Sequence, residues 1–260
     1  MIDTEPAMPV AREGRVLRVR LNRPGKRNAL RITDCAQIVA TLNEAELDDA
    51  VGAILIESAG PDFCSGIDLT ESLESDAPEC AAIHNELFTI GARITKPVVA
   101  AVQGKALAEG LGLVTNAHVV VAEGGAGFGL TEIRIALFPY IVFRSVATAL
   151  GERRALELAL TGRIVSAEEA HLWGLVHHIA PPHELVARAC AVASTISRFS
   201  PEAIRRGLDY VQRSRGASPR EAADLADVMR RLSYRSADFA EGVSAFFGKR
   251  QPRWPSLEKA

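Results

Sequence analysis

Four cysteines in 260 residues, at positions 35, 64, 80 and 190, are too scattered to form a Cys-x-x-Cys pair, which removes zinc cages and disulfide frameworks from consideration. An excess of charge of one sign is lacking too. With 30 basic against 32 acidic residues the formal net charge is −2, so the chain has no basic stripe of the kind that draws nucleic acid or a membrane surface. No apolar run approaches the roughly 20 residues that span a bilayer. The opening "MIDTEPAMPVAREGR" sets acids and prolines where a secretory leader needs a basic and then an apolar stretch. These absences predict a cytoplasmic protein whose default partner is a small molecule. Nucleotide loops are missing as well: "GKALAEG" has its Lys directly after the first Gly and no closing Gly-Lys-Ser/Thr, and "GGAGFG" lacks the dinucleotide spacing and reads as a tight turn. Phe63 replaces the first Gly of a Gly-x-Ser-x-Gly elbow around Ser65. The histidines of "HLWGLVHHIAPPH" miss the four-residue step that puts two ligands on one helix face, and His84 and His118 stand alone, so no metal is expected.

What is present is an alternation. Short β-branched runs, "RVLRVRLN", "GAILIES", "PVVAAVQG" and "HVVVA", are separated by helical periods or Gly-rich turns, an order that predicts an α/β core. Between the first two, "TDCAQIVATLNEAELD" sets Ile38, Val39, Leu42 and Leu47 mostly on one face and predicts a crossover helix capped by Thr33 or Asp34. From Arg144 onward the pattern is helix after helix. Ser166 and Glu169 form a prospective capping box with Gly174 as the stop, and "SPEAIRRGLDYVQR", "SPREAADLADVMRRL" and "SADFAEGVSAFFGKR" each open on a serine cap. Residues 70 to 82, "TESLESDAPECAA", read as a mobile acidic loop. The chain length is at the upper end of what one hydrophobic core supports, which predicts one large domain or a core with a small appendage.

"ALAEGLGL", residues 106 to 113, offers either N–H groups to an anion or close helix packing, and the residues by themselves leave both open. The segments "LNRPGKRNAL", "DFCSGIDL", "GKALAEGLGL" and "FGLTEIRIALFP", in this order, resemble the crotonase superfamily, the enoyl-CoA hydratase and isomerase family. The resemblance runs from about Val16 to the closing "FAEGVSAFFGKRQPRW". It implies an α/β fold, a crotonase-like spiral of ββα units over residues 1–195, with a helical C-terminal trimerisation region over 196–260. It also implies a homotrimer or homohexamer and an acyl-CoA substrate, with no nucleic acid or membrane partner. No cofactor is implied beyond the coenzyme A that is part of the substrate.

Family members pass through an enolate whose oxygen is held by fixed donors. The matching donors here are the backbone N–H groups of Ile67 and Glu109, and the matching acid–base residue is Glu132 in "FGLTE". The Glu109 side chain departs from the family's usual Gly and either crowds the pocket or faces away. A second family glutamate falls on Gly112. A single carboxylate suits a proton shuttle that moves a double bond, while addition of water is harder with one. Tyr140 stands where the hydroxyacyl-CoA hydrolase and dienoyl-CoA isomerase branches place an aspartate. "PYIVFRSVATALGERRA" lacks the hydratases' "PGAGG"-type turn and resembles the mitochondrial double-bond isomerases in its spacing to "GERRA". Isomerisation is therefore favoured, with hydration of 2-enoyl-CoA or non-catalytic acyl-CoA binding as alternatives. By the same resemblance the coenzyme A contacts are Lys26, Arg27, Ala29 and the stretch Ser65, Gly66, Ile67 and Asp68, with Lys249 supplied by a neighbouring subunit. Leu87, Phe88 and Ile90 either line the acyl pocket or pack their own helix.

Overall fold

The four β-branched runs become strands, and the chain adds shorter ones between and after them. The computed structural model describes residues 8–74 and 78–258. The strands among the described residues are β1 Val10–Glu13, β2 Val16–Leu21, β3 Ala53–Ser58, β4 Val98–Val102, β5 Lys105–Leu107, β6 Val119–Glu123, β7 Gly127–Gly129, β8 Ile164–Ser166 and β9 His178–Ala180. A six-stranded sheet has the order β1-β2-β3-β4-β6-β9 and is parallel except for the β1-β2 hairpin. A three-stranded sheet has the order β5-β7-β8. In the passes β4 to β5 and β6 to β7 the chain leaves the large sheet and lays a short strand in the small one, so the α/β fold advances as a spiral.

Burial follows from that arrangement. β3 and β4 are buried along their whole length, which is why their sequences are continuous apolar runs instead of alternating ones. On one face of the large sheet, Leu55, Val99 and Val121 pack against Leu185, Ala189 and Ala193, one stripe of the helix Leu185–Ser197. On the other, Val19, Ile54 and Ile56 meet Ile38 and Leu42 of the crossover helix Ile32–Leu47.

That helix starts before its expected cap. Arg31 is the N-cap, and Asp34 lies inside the first turn, where its Oδ2 accepts the Arg31 backbone N–H at 3.0 Å. A carboxylate at that point also suits the positive end of the helix dipole. Ile38, Val39 and Leu42 are buried, whereas Leu47, in the last turn, is 86 % exposed.

The expected acidic loop is corrected to the helices Leu69–Glu74 and Pro78–Phe88, with residues 75–77 outside the described residues. Composition misled there: Glu, Leu and Ala are good helix formers, and Pro78 sits at a helix start, where its missing N–H costs nothing. Glu71 accepts the Ile32 N–H at 2.8 Å and ties this segment to the crossover helix.

The serine caps are where local spacing put them. Ser200, Ser218 and Ser236 accept the N–H groups of Ala203, Glu221 and Phe239 at 3.0, 3.3 and 3.1 Å. They open the helices Pro201–Ser214, Pro219–Tyr234 and Ala237–Phe247, which follow the last helix packed on the sheet. No described helix is long and apolar enough to cross a membrane.

Candidate active site

Two loops meet beside the small sheet. After β3 the chain passes through buried Phe63 and Cys64. The Cys64 N–H donates to Lys105 O at 3.0 Å, and the Leu107 N–H to Cys64 O at 2.9 Å. Gly66 follows with φ +112°, and a Cβ there would lie 3.0 Å from both Ala108 Cβ and Glu109 Oε2. Only glycine permits this approach. On its other side the loop is tied to the segment before the crossover helix: the Leu30 N–H donates to Gly66 O and the Asp68 N–H to Leu30 O, each at 2.8 Å. Ile67 is thereby fixed between the two.

Ala108 adopts φ +52° and ψ −121°, a state that strains a residue bearing a Cβ. Its N–H donates to Gly129 O at 2.9 Å, and the helix Glu109–Thr115 begins directly after it. The Ile67 N–H consequently finds an acceptor at this helix start, the Glu109 carboxylate. Ile67 donates to Oε2 at 3.2 Å. Main-chain amides at a helix start suit a developing oxyanion; here a carboxylate of the chain itself takes up the Ile67 N–H. Glu109 is 8 % exposed. Burial raises its pKa, and backbone hydrogen bonds pull the other way.

Glu132 opens the 3₁₀ turn Glu132–Ile135 just after β7. The pairing of β5 with β7, Leu107 opposite Gly129, brings it to the same end of the small sheet as Glu109. It is 4 % exposed, and neither carboxylate oxygen has a hydrogen-bond partner among the described residues. Burying an unpaired carboxylate disfavours its charge. Burial accordingly raises the Glu132 pKa to about 7, and the nearby charge of Glu109 adds to the rise. An acid that titrates near neutrality can both take and return a proton.

The place of the second family glutamate is full. A Cβ at Gly112 would lie 2.4 Å from Val142 Cγ1 and 3.0 Å from Phe88 Cδ1. Leu87, Phe88 and Ile90 are core residues at 0, 1 and 4 % exposure. Gly112→Ala is expected to destabilise the chain by about 1–3 kcal/mol through overpacking. Urea denaturation measures this, and Val142→Ala should recover part of the loss in the double variant.

The expected coenzyme A strip is one connected edge. Lys26 and Arg27 are exposed at the turn Pro24–Lys26, and the Ser65 N–H donates to Arg27 O at 3.0 Å. Arg23 bonds Ala29 O at 2.6 Å and Asp68 Oδ2 at 3.1 Å, which holds the Asp68 carboxyl below its ordinary range. The residue that organises the strip is Asn28, which the sequence reading passed over. It is 2 % exposed; its Oδ1 accepts the Arg23 N–H, and its Nδ2 donates to Ala59 O and Asp62 O, all at 2.8 Å. Its φ of +53° follows Arg27 at +49°, and an asparagine inside a Pro-Gly turn was the available signal. Lys249 lies in the turn after the helix Ala237–Phe247, and no hydrogen bond or ion pair among the described residues joins it to this edge.

A family model described as enoyl-CoA hydratase/isomerase matches residues 11–257. The chain is 36 % identical over 251 residues to the mevalonyl-coenzyme A hydratase of Aspergillus fumigatus, covering 92 % of this chain and 91 % of that relative. It is 31 % identical over 254 residues to the 1,2-epoxyphenylacetyl-CoA isomerase of Escherichia coli, covering 92 % and 94 %. Among solved structures, the enoyl-CoA hydratase of Mycobacterium smegmatis matches with a TM-score of 0.91 at 29 % identity, over 96 % of this chain and 99 % of that one.

Proposed function

Because the chain belongs to the enoyl-CoA hydratase/isomerase family and is a crotonase-type enzyme acting on acyl-CoA, we propose that it moves a double bond in an enoyl-CoA thioester with Glu132 as the single proton shuttle. The observation that carries this reading is the buried, unpartnered Glu132 carboxylate, which feels the charge of Glu109 beside the Ile67 amide. The filled space at Gly112 supports it. In this path the Glu132 carboxylate takes a proton from C2 of a 3-enoyl-CoA. The C–H electron pair becomes the second bond of C1=C2, and the carbonyl pair moves onto oxygen. The amides of Ile67 and Glu109 hold that oxygen as the Glu109 carboxylate leaves the Ile67 N–H. On return, the oxygen pair re-forms C1=O, the C1=C2 pair becomes C2=C3, and the C3=C4 pair takes the proton from Glu132 at C4. Water is not consumed, and no cofactor is required.

Lys26 and Arg27 would meet the coenzyme A phosphates, with Ala29 and the backbone from Ser65 to Asp68 alongside. Lys249 would join them only from a neighbouring subunit of a trimer or hexamer. One observation favours a second reading, hydration of 2-enoyl-CoA: Glu109 supplies another buried carboxylate whose charge reaches Glu132.

An absorbance assay over a panel of 2-enoyl- and 3-enoyl-CoA thioesters separates these. Conjugation gained from 3-enoyl-CoA is the expected result. Conjugation lost from 2-enoyl-CoA would favour hydration, and silence across the panel would overturn both in favour of a non-catalytic acyl-CoA binder.

A further inference from the structure

Two histidines outside the site above are held in the same way. His118 precedes β6; its backbone N–H donates to Val98 O at 2.8 Å, and its ring Nδ1 accepts the Val98 N–H at 3.0 Å. His177 precedes β9; its backbone N–H donates to Val120 O at 2.9 Å, and its Nδ1 accepts the Val120 N–H at 3.0 Å. Each ring thus caps the start of the neighbouring parallel strand, where the ladder would leave an N–H without an acceptor. A ring nitrogen that accepts carries no proton, so the proton of each neutral imidazole resides on Nε2. Burial, aided by the charge of Arg215, lowers the His118 pKa to about 4. Burial, aided by His178 and His171, lowers that of His177. With Nδ1 accepting a backbone N–H, each ring is left with Nε2–H as its donor. The β6-β9 pairing sets His177 beside Val120, two residues along from His118, so the two positions share a face of the sheet, with their Cα atoms about 8 Å apart.

Both rings line a cleft of about 560 Å³ whose walls include Phe88 and Leu175 and whose lining also carries Arg144 and Arg215. No ion pair is made by either arginine among the described residues. Among the described residues no carboxylate lines the cleft. Glu46, whose charge reaches His118, is taken up by the N–H groups of Thr95 and Lys96 at 3.0 and 3.1 Å. The lining therefore presents donors without a compensating acid among the described residues: a cation would find no acidic partner there, whereas an oxyanion would be met by both guanidinium groups.

We propose that this cleft binds a small organic oxyanion, a phosphate ester or carboxylate with an apolar body. The Nε2–H groups of His118 and His177 and the guanidinium groups of Arg144 and Arg215 would be its donors. Neither arginine belongs to the Glu132 site, so this proposal and the reading of that site stand or fall separately.

The test is titration of the full chain with phenyl phosphate, benzoate and inorganic phosphate, followed by calorimetry and by NMR of the imidazole Nε2–H signals. Phenyl phosphate or benzoate is expected to shift both histidine signals, and whichever binds tighter identifies the head group. Inorganic phosphate, which lacks the apolar body, is expected to bind more weakly than phenyl phosphate. Arg144→Gln and Arg215→Gln should each weaken binding by about tenfold or more, with circular dichroism and enoyl-CoA turnover unchanged. Absence of binding at millimolar concentration, or binding that both variants retain at full strength, would overturn the proposal.

Discussion

Glu132→Gln is expected to lower turnover of enoyl-CoA by about 10² to 10⁴, the usual contribution of a general acid–base group, while acyl-CoA binding stays within a few-fold. Wild-type turnover should rise as the carboxylate forms, with its midpoint near the Glu132 pKa of about 7. The same substitution is expected to stabilise the protein at high pH. Below the ordinary value of 4.5 the carboxyl is neutral in both folded and unfolded chains, so it contributes no penalty. As pH rises from 4.5 towards about 7, the unfolded chain loses its proton while the folded one keeps it, and folding grows less favourable. Above about 7 the penalty is constant; the rise from 4.5 corresponds to about 3 kcal/mol. After the cost of an unpaired buried amide, about 1–3 kcal/mol, the variant should exceed wild type by about 0–2 kcal/mol at pH 8, and the advantage should vanish or reverse at pH 4.5 and below. Urea unfolding at the two pH values, beside steady-state kinetics, measures both effects. Full activity in the variant would remove Glu132 from the mechanism.

Glu109→Ala is expected to lower KM for acyl-CoA by about 10- to 100-fold, with kcat changed by only a few-fold. The thioester oxygen must displace a carboxylate that accepts the Ile67 amide, and a hydrogen bond to a charged group contributes about 1.5–3 kcal/mol. Alanine removes the competitor and leaves both main-chain donors in place. It also removes the charge that helps to raise the Glu132 pKa, so the acid limb of the pH–rate profile should move to lower pH. If the Glu109 carboxylate instead assists hydration, kcat for 2-enoyl-CoA will fall by about 10² or more. An unchanged KM together with an unmoved acid limb would show that the carboxylate neither blocks the amides nor senses Glu132.

How much of this was legible differed from residue to residue. Gly66 and Glu132 stood in motifs that could be matched in order, but the direction of the Glu109 side chain could not be read from "ALAEGLGL". It depends on Ile67, 42 residues away, and on the strained turn at Ala108. The loss of a glutamate at Gly112 was visible; the reason nothing larger fits there lies with Val142 and Phe88. His118 looked like an isolated residue. Its ring tautomer is set by a strand that precedes it by 20 positions.

By itself the amino-acid sequence determined the long parallel strands, the crossover helix, the serine caps and the family, because each rests on backbone preferences and periods that a few neighbouring residues carry. Tertiary pairing alone decided the three-residue strands β5, β7, β8 and β9, the hydrogen bond of the Ile67 amide to the Glu109 carboxylate, and the burial that sets Glu132 near neutrality. Those features are distances and desolvation between segments remote in the chain, and neither quantity exists until the sheets have formed.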